Sequence, residues 1–155
     1  MTNFTKPILA GGLLAGTLDI SYALIRAALL GGVPARVLKS VASGVFGRPA
    51  FNGGWEMAAL GLLLHFVVAT GATTVFYVVS RWIPIMRRRP ALFGPLFGVC
   101  VYAVMNRVVV PLSAAPFRIN FELSGLLVHM FLVGLPIAVA VGKLSPEAAA
   151  SADQA

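Results

Sequence analysis

Charge is what this sequence has least of. Only 11% of its 155 residues are charged, 59% are hydrophobic and the mean hydropathy is +0.90. Soluble domains carry about a quarter charged residues, so an ordinary water-soluble globule is excluded. Acidic residues are scarcest, 5 against 12 Lys+Arg for a net charge of +7. In a soluble chain that excess would suggest nucleic acid. Here the basic residues flank apolar runs, which reads instead as membrane topology and contact with lipid headgroups. The single cysteine, Cys100, lies in an apolar stretch; it excludes an intrachain disulfide and reads as packing. There is no HExxH, no Gly-rich phosphate loop and no cysteine pair. Ser124, five residues before His129, is badly placed as a nucleophile. Without a catalytic motif the chain does not read as an enzyme.

Long apolar stretches are what it has in quantity. Four reach the roughly 20 residues that a membrane-spanning helix needs: Ile8 to Leu30, Trp55 to Val79, Ala91 to Val110 and Glu122 to Val141. The first, interrupted by Asp19 and Arg26, is too long for the core of a cleaved signal peptide and is expected to be retained. The expectation is an all-α integral membrane protein. Its single domain, residues 1–143, has four transmembrane helices arranged as two tandem hairpins. Residues 144–155, rich in Ala and Ser with no apolar face, are expected to be a disordered tail.

With both termini cytoplasmic, the inner side holds Lys6, Arg81, Arg87, Arg88, Arg89 and Lys143, and the outer loops hold Arg36, Lys39, Arg48 and Arg118. The short loop from Arg81 to Pro90 decides the orientation, because dense positive charge in a short loop weighs most. Trp55 and Trp82 bracket the second span at interfacial positions. In the first outer loop, Val37, Leu38, Val41 and Val45 fall on one helical face and Arg36, Lys39 and Ser43 on the other. Pro34 suits a first helical position. This predicts a short interfacial helix over Pro34 to Gly47, with a re-entrant lid as the rival.

Two words recur. Gly61-Leu62-Leu63-Leu64-His65-Phe66 resembles Gly125-Leu126-Leu127-Val128-His129-Met130, and Gly12-x-x-x-Gly16 resembles Gly94-x-x-x-Gly98. Two hairpins repeated in tandem would have their pseudo-twofold along the membrane normal. Gly12, Gly16, Gly61, Gly94, Gly98 and Gly125 read as helix-packing positions, since small residues let backbones approach where lipid supplies no hydrophobic drive. Each histidine shares a face with the glycine four residues before it, and Asp19 continues the Gly12–Gly16 stripe. All three should point inward.

Asp19 is 11 residues below Leu30, His65 10 below Trp55 and His129 seven below Glu122. At about 1.5 Å per residue they lie roughly 10 to 17 Å deep, near the middle of the membrane. Ionisable groups there are costly and seldom unpaired, which makes Asp19, His65 and His129 candidate functional residues. Their bland alternative is helix-locking, with Asp19 bonded to a histidine N–H, Tyr22 or Tyr102. An outer polar layer comprises Arg26, Glu56, Asn106, Arg107 and Glu122, where Arg26 and Arg107 snorkel or pair with Glu56 and Glu122. Pro111 and Pro136 would free the carbonyls of Arg107 and Leu132 if their helices run through them.

The leading functional expectation is a small proton-coupled or ion and small-solute permeation unit with Asp19, His65 and His129 as its midplane site, histidine being the natural proton carrier near neutral pH. The alternative is a structural or stress-accessory protein whose polar residues only lock the bundle. A third is a b-type haem or metal bundle ligated through His65 and His129. Four helices enclose little space, which points to a homo-oligomer in the lipid bilayer.

The stretch from Gly11 to Lys143 resembles a widespread family of small bacterial four-helix membrane proteins. The resemblance is carried by Ala15-Gly16-Thr17-Leu18-Asp19-Ile20, Arg36-Val37-Leu38, Ala42-Ser43-Gly44, Leu64-His65-Phe66, Met105-Asn106 through Val110-Pro111-Leu112-Ser113, and His129 through Gly134-Leu135-Pro136-Ile137. It is also distantly similar to the YagU-type inner-membrane proteins, which are linked to acid tolerance and have a different first loop. The resemblance implies the fold and a bacterial inner membrane; it implies no reaction.

Overall fold

A computed structural model describes residues 4–118 and 120–145, and every regular element among them is helical. The four spans are α1 (Thr5–Leu29), α3 (Trp55–Trp82), α5 (Pro90–Leu112) and α6 (Leu123–Leu144), all long and apolar enough to cross a membrane. Their bounds fall within three residues of the expected ones. Between α1 and α3 lie α2 (Pro34–Phe46) and a short 3-10 turn (Arg48–Phe51); a single helical turn, α4 (Ile85–Arg88), joins α3 to α5. Most of the expected tail, residues 146–155, lies outside the described residues. Ser145, at its start, is buried and donates its hydroxyl to the Val141 carbonyl.

Chain reversals are set by glycine. Gly31, at φ 74°, follows α1, where the N–H groups of Leu30, Gly31 and Gly32 bond the carbonyls of Arg26, Ala28 and Ala27. Gly47, at φ 65°, ends α2 in the same left-handed region.

The spans form an open arc. α1 packs on α3 and α5 on α6, giving two hairpins, and α1 with α6 joins them. α3 and α5, at the ends of the arc, scarcely pack on each other. They meet near the α4 end through an edge-to-face contact of Phe76 and Phe97, ring centroids 5.0 Å apart. Around that contact Met86, Ile137 and Val141 are buried in the hydrophobic core. The α4 end of the bundle is therefore the packed one.

The glycine stripes explain the close pairings. On α1, Cβ atoms added at Gly12 and Gly16 would strike the Thr70 backbone and the Phe66 ring of α3. On α5, Gly94 and Gly98 face the backbone of His129, Met130, Gly134 and Leu135 on α6, so the two helices touch main chain to main chain. Gly125 is less crowded, with a Tyr102 ring carbon 3.3 Å from its would-be Cβ. Gly61 faces α2 instead of another span, with the Leu38 carbonyl where its Cβ would be.

That contact tucks α2 against α3 in the half of the bundle opposite α4. The expected division of its faces is corrected. Ser43, assigned to the polar face, is completely buried beside Ala42, while Val45 is exposed. Ser43 tolerates burial because its hydroxyl donates to the Ser40 carbonyl at 2.7 Å, and its small volume allows helices to approach.

Helices α5 and α6 run through Pro111 and Pro136, each preceded by a π-helical stretch, Met105–Val109 and His129–Gly134. A proline ring clashes with the carbonyl four residues earlier. The wider π turn carries the helix past it, and such turns recur at functional sites.

Candidate functional site

Asp19 of α1, His65 of α3 and His129 of α6 line one cavity of about 70 Å³ at the heart of the arc. Its other walls include Ala15 and Gly16 of α1, Ala69 and Ala72 of α3, and Val101 and Met105 of α5. All four spans contribute. One water needs roughly 10 to 15 Å³ of such space, so a small water cluster fits.

Each imidazole is oriented by one bond. His65 Nε2 lies 2.9 Å from the Gly16 carbonyl of α1, and His129 Nδ1 lies 2.8 Å from the Gly125 carbonyl of its own helix. A carbonyl oxygen can only accept, so both ring nitrogens carry the proton. In the neutral rings this leaves Nδ1 of His65 and Nε2 of His129 with lone pairs. The Asp19 side chain makes no hydrogen bond or ion pair among the described residues. The bonds envisaged from Asp19 to a histidine, Tyr22 or Tyr102 are therefore not formed.

This separates locking from other roles residue by residue. Only His65 ties two helices together. His129 bonds its own helix, and Asp19 bonds nothing, so neither serves as interhelical glue.

Tyr102 has a different task. Its hydroxyl accepts from the Glu122 N–H at 2.9 Å and donates to the Glu122 carbonyl at 3.2 Å, stapling α5 to the start of α6. Its ring packs edge-on against His129, with centroids 5.3 Å apart. The sequence offers a weak hint, a lone tyrosine in an apolar helix, because buried phenols find partners. It does not reveal that the partner is main chain.

None of the five outer polar residues lines the cavity. Arg26 forms an ion pair with Glu122, which also accepts from Ser124 Oγ at 2.9 Å. Glu56 instead accepts the Gly54 N–H at 2.7 Å, at the exposed start of α3. Asn106 donates to the Tyr102 carbonyl at 2.8 Å, while its Oδ1 is buried without a partner. Arg107 is exposed and, among the described residues, pairs with neither glutamate.

Tyr102→Phe is expected to lower stability by about 1 to 2 kcal/mol, because two backbone hydrogen bonds go. Glu122→Gln should cost under about 1 kcal/mol, since an exposed ion pair contributes little. Thermal unfolding in one detergent reads both; the reverse order would mean that the ion pair, and not the tyrosine, anchors α6.

Among the described residues no three His, Cys, Asp or Glu side chains form a cluster able to hold a metal ion. No family model, curated protein or solved structure matches the chain.

Proposed function

We propose that this is a proton-handling membrane protein, a small proton-coupled permeation unit whose working groups are Asp19, His65 and His129. The observation that carries this reading is that the three side chains share one cavity, with Asp19 unpartnered and a lone-pair nitrogen left on each neutral imidazole. Carboxylate and imidazole are both groups that take up and release protons. A few waters suffice to relay between them. The packed core around Phe76, Ile137 and Val141 closes the cavity toward the α4 end, so passage through the protein requires that end to loosen.

The arginines of the short α4 segment support a cytoplasmic α4 end, and with it cytoplasmic termini. The family resemblance supports a bacterial inner membrane. A purely structural role is favoured by one observation, the His65 bond across to α1, and accounts for that residue alone.

The test is proton flux into proteoliposomes under a pH gradient, read with an entrapped pH-sensitive dye. Flux is expected to exceed that of protein-free vesicles severalfold, and His129→Phe to remove the excess while leaving thermal stability intact. Equal flux with and without protein would overturn the proposal.

A further inference from the structure

The cavity with the Asp19 carboxylate does not stand alone. At the α2 end an open depression of about 470 Å³ lies between the end of α1, α2 and Phe117, with Arg36 on its wall. Ser40 and Phe117 also line a second space of about 300 Å³ beneath α2, bounded by Val45, Leu64 and Val109. Val68, Met105 and Val109 are shared in turn with a groove of about 330 Å³ between α3 and α5. Neighbouring spaces share these wall residues, so they succeed one another as a track of adjoining spaces from a cationic mouth to an apolar groove between α3 and α5.

We propose that this track binds a single-chain anionic amphiphile, its headgroup on Arg36 and its acyl tail passing beneath α2 into the α3–α5 groove. The groove opens toward the bilayer, where acyl chains and not water are at hand to fill it. Its walls are Val68, Val75, Phe97, Val101, Val104 and their neighbours, without a charged group. α2 roofs the second space and is tied to the segment after α5 by the Ala114 N–H bond to the Gly44 carbonyl at 2.9 Å.

Charge selects the headgroup. Arg36 is exposed, with its guanidinium 5.6 Å from the centroid of the Phe51 ring, and has no acidic partner. Lys39, Arg48 and Arg118 belong to the same end of the bundle. Glu122 is paired with Arg26, and Glu56, which accepts the Gly54 N–H, lies near enough to Lys39 to feel its charge, so neither is paired with Arg36. A carboxylate or phosphate monoester therefore meets attraction there, and a quaternary ammonium does not. This inference does not rest on the proton reading: the Asp19 cavity shares Val68, Ala72, Val101 and Met105 with the groove, but Asp19, His65 and His129 themselves line none of the three spaces.

The experiment uses the full chain in phosphatidylcholine nanodiscs with a diazirine-bearing palmitate at alkaline pH, where its carboxylate is ionised. Photoadducts are mapped by peptide mass spectrometry. Adducts are expected on α2 and on the Phe97 to Val109 stretch, competed by palmitate and not by hexadecyltrimethylammonium. Arg36→Gln should cut them severalfold and Lys143→Gln leave them unchanged. Val109→Trp, which fills the passage, should remove adducts from the α3–α5 groove while those near Arg36 persist. Equal competition by the cationic amphiphile, or adducts spread evenly over all lipid-facing surfaces, would overturn the proposal. So would an efficient Cys100–Cys100 cross-link on mild oxidation, since Cys100 lines the groove and the link would put a second copy there.

Discussion

Asp19→Asn is expected to return proton flux to that of protein-free vesicles, since loss of a positioned proton-transfer group slows transfer about a hundredfold or more, while melting temperature holds or rises. The two readouts move apart because Asp19 has no bond to lose. Its carboxylate lines the cavity without a hydrogen bond or ion pair among the described residues. An ionised group at that depth costs at least about 2.5 kcal/mol on insertion scales, so the neutral amide relieves a penalty. It also removes the group that takes up and releases the proton. A locking role predicts the opposite pair of results, a lower melting temperature with flux unaltered. Comparing flux per folded protein with thermal unfolding of the same preparation decides between them.

A large stability effect should come from Gly134→Ala. An added Cβ there would lie 2.5 Å from the Gly98 nitrogen and 2.8 Å from its Cα, and closer still to the Gly94 carbonyl oxygen. All three are main-chain atoms, so no side chain can rotate away and α6 must move off α5. The expected loss is about 3 kcal/mol or more, at or beyond the usual upper range for overpacking. Gly71→Ala is the control. Nothing lies within 4 Å of its would-be Cβ, and it should gain up to about 1 kcal/mol from helix propensity. Gly125→Ala belongs between them, since a tyrosine ring edge can yield. Reversible unfolding in mixed micelles should rank them in that order. A Gly134→Ala protein as stable as wild type would mean that the α5–α6 contact is looser than the geometry describes.

The four spans were legible because hydropathy over some 20 residues leaves a backbone in lipid no option but the helix. The convergence of Asp19, His65 and His129 on one cavity was legible from helical spacing, which put all three on inward faces. Helix partners were less so. The Gly61 and Gly125 words look alike, yet Gly61 receives α2 and Gly125 a tyrosine ring, because a small residue permits close approach without specifying the neighbour. Ser43 was misplaced for a related reason: its hydroxyl is satisfied within its own helix, so polarity alone does not keep it on the surface. The π stretches before Pro111 and Pro136 were not foreseen, since proline marks a conflict in the helix and does not say how the helix resolves it.

The position of α2 gives the molecule an unequal outline. One half of its height contains four helices; the other contains the same four with a fifth laid against α3. In a bilayer, the leaflet on the α2 side must yield more area than its opposite. Such a wedge is sensitive to lipid shape, as helices seated in one leaflet generally are. The protein should thus be most stable where that leaflet is under tension, and conical or lysolipid species added to one side only should alter its stability in opposite directions.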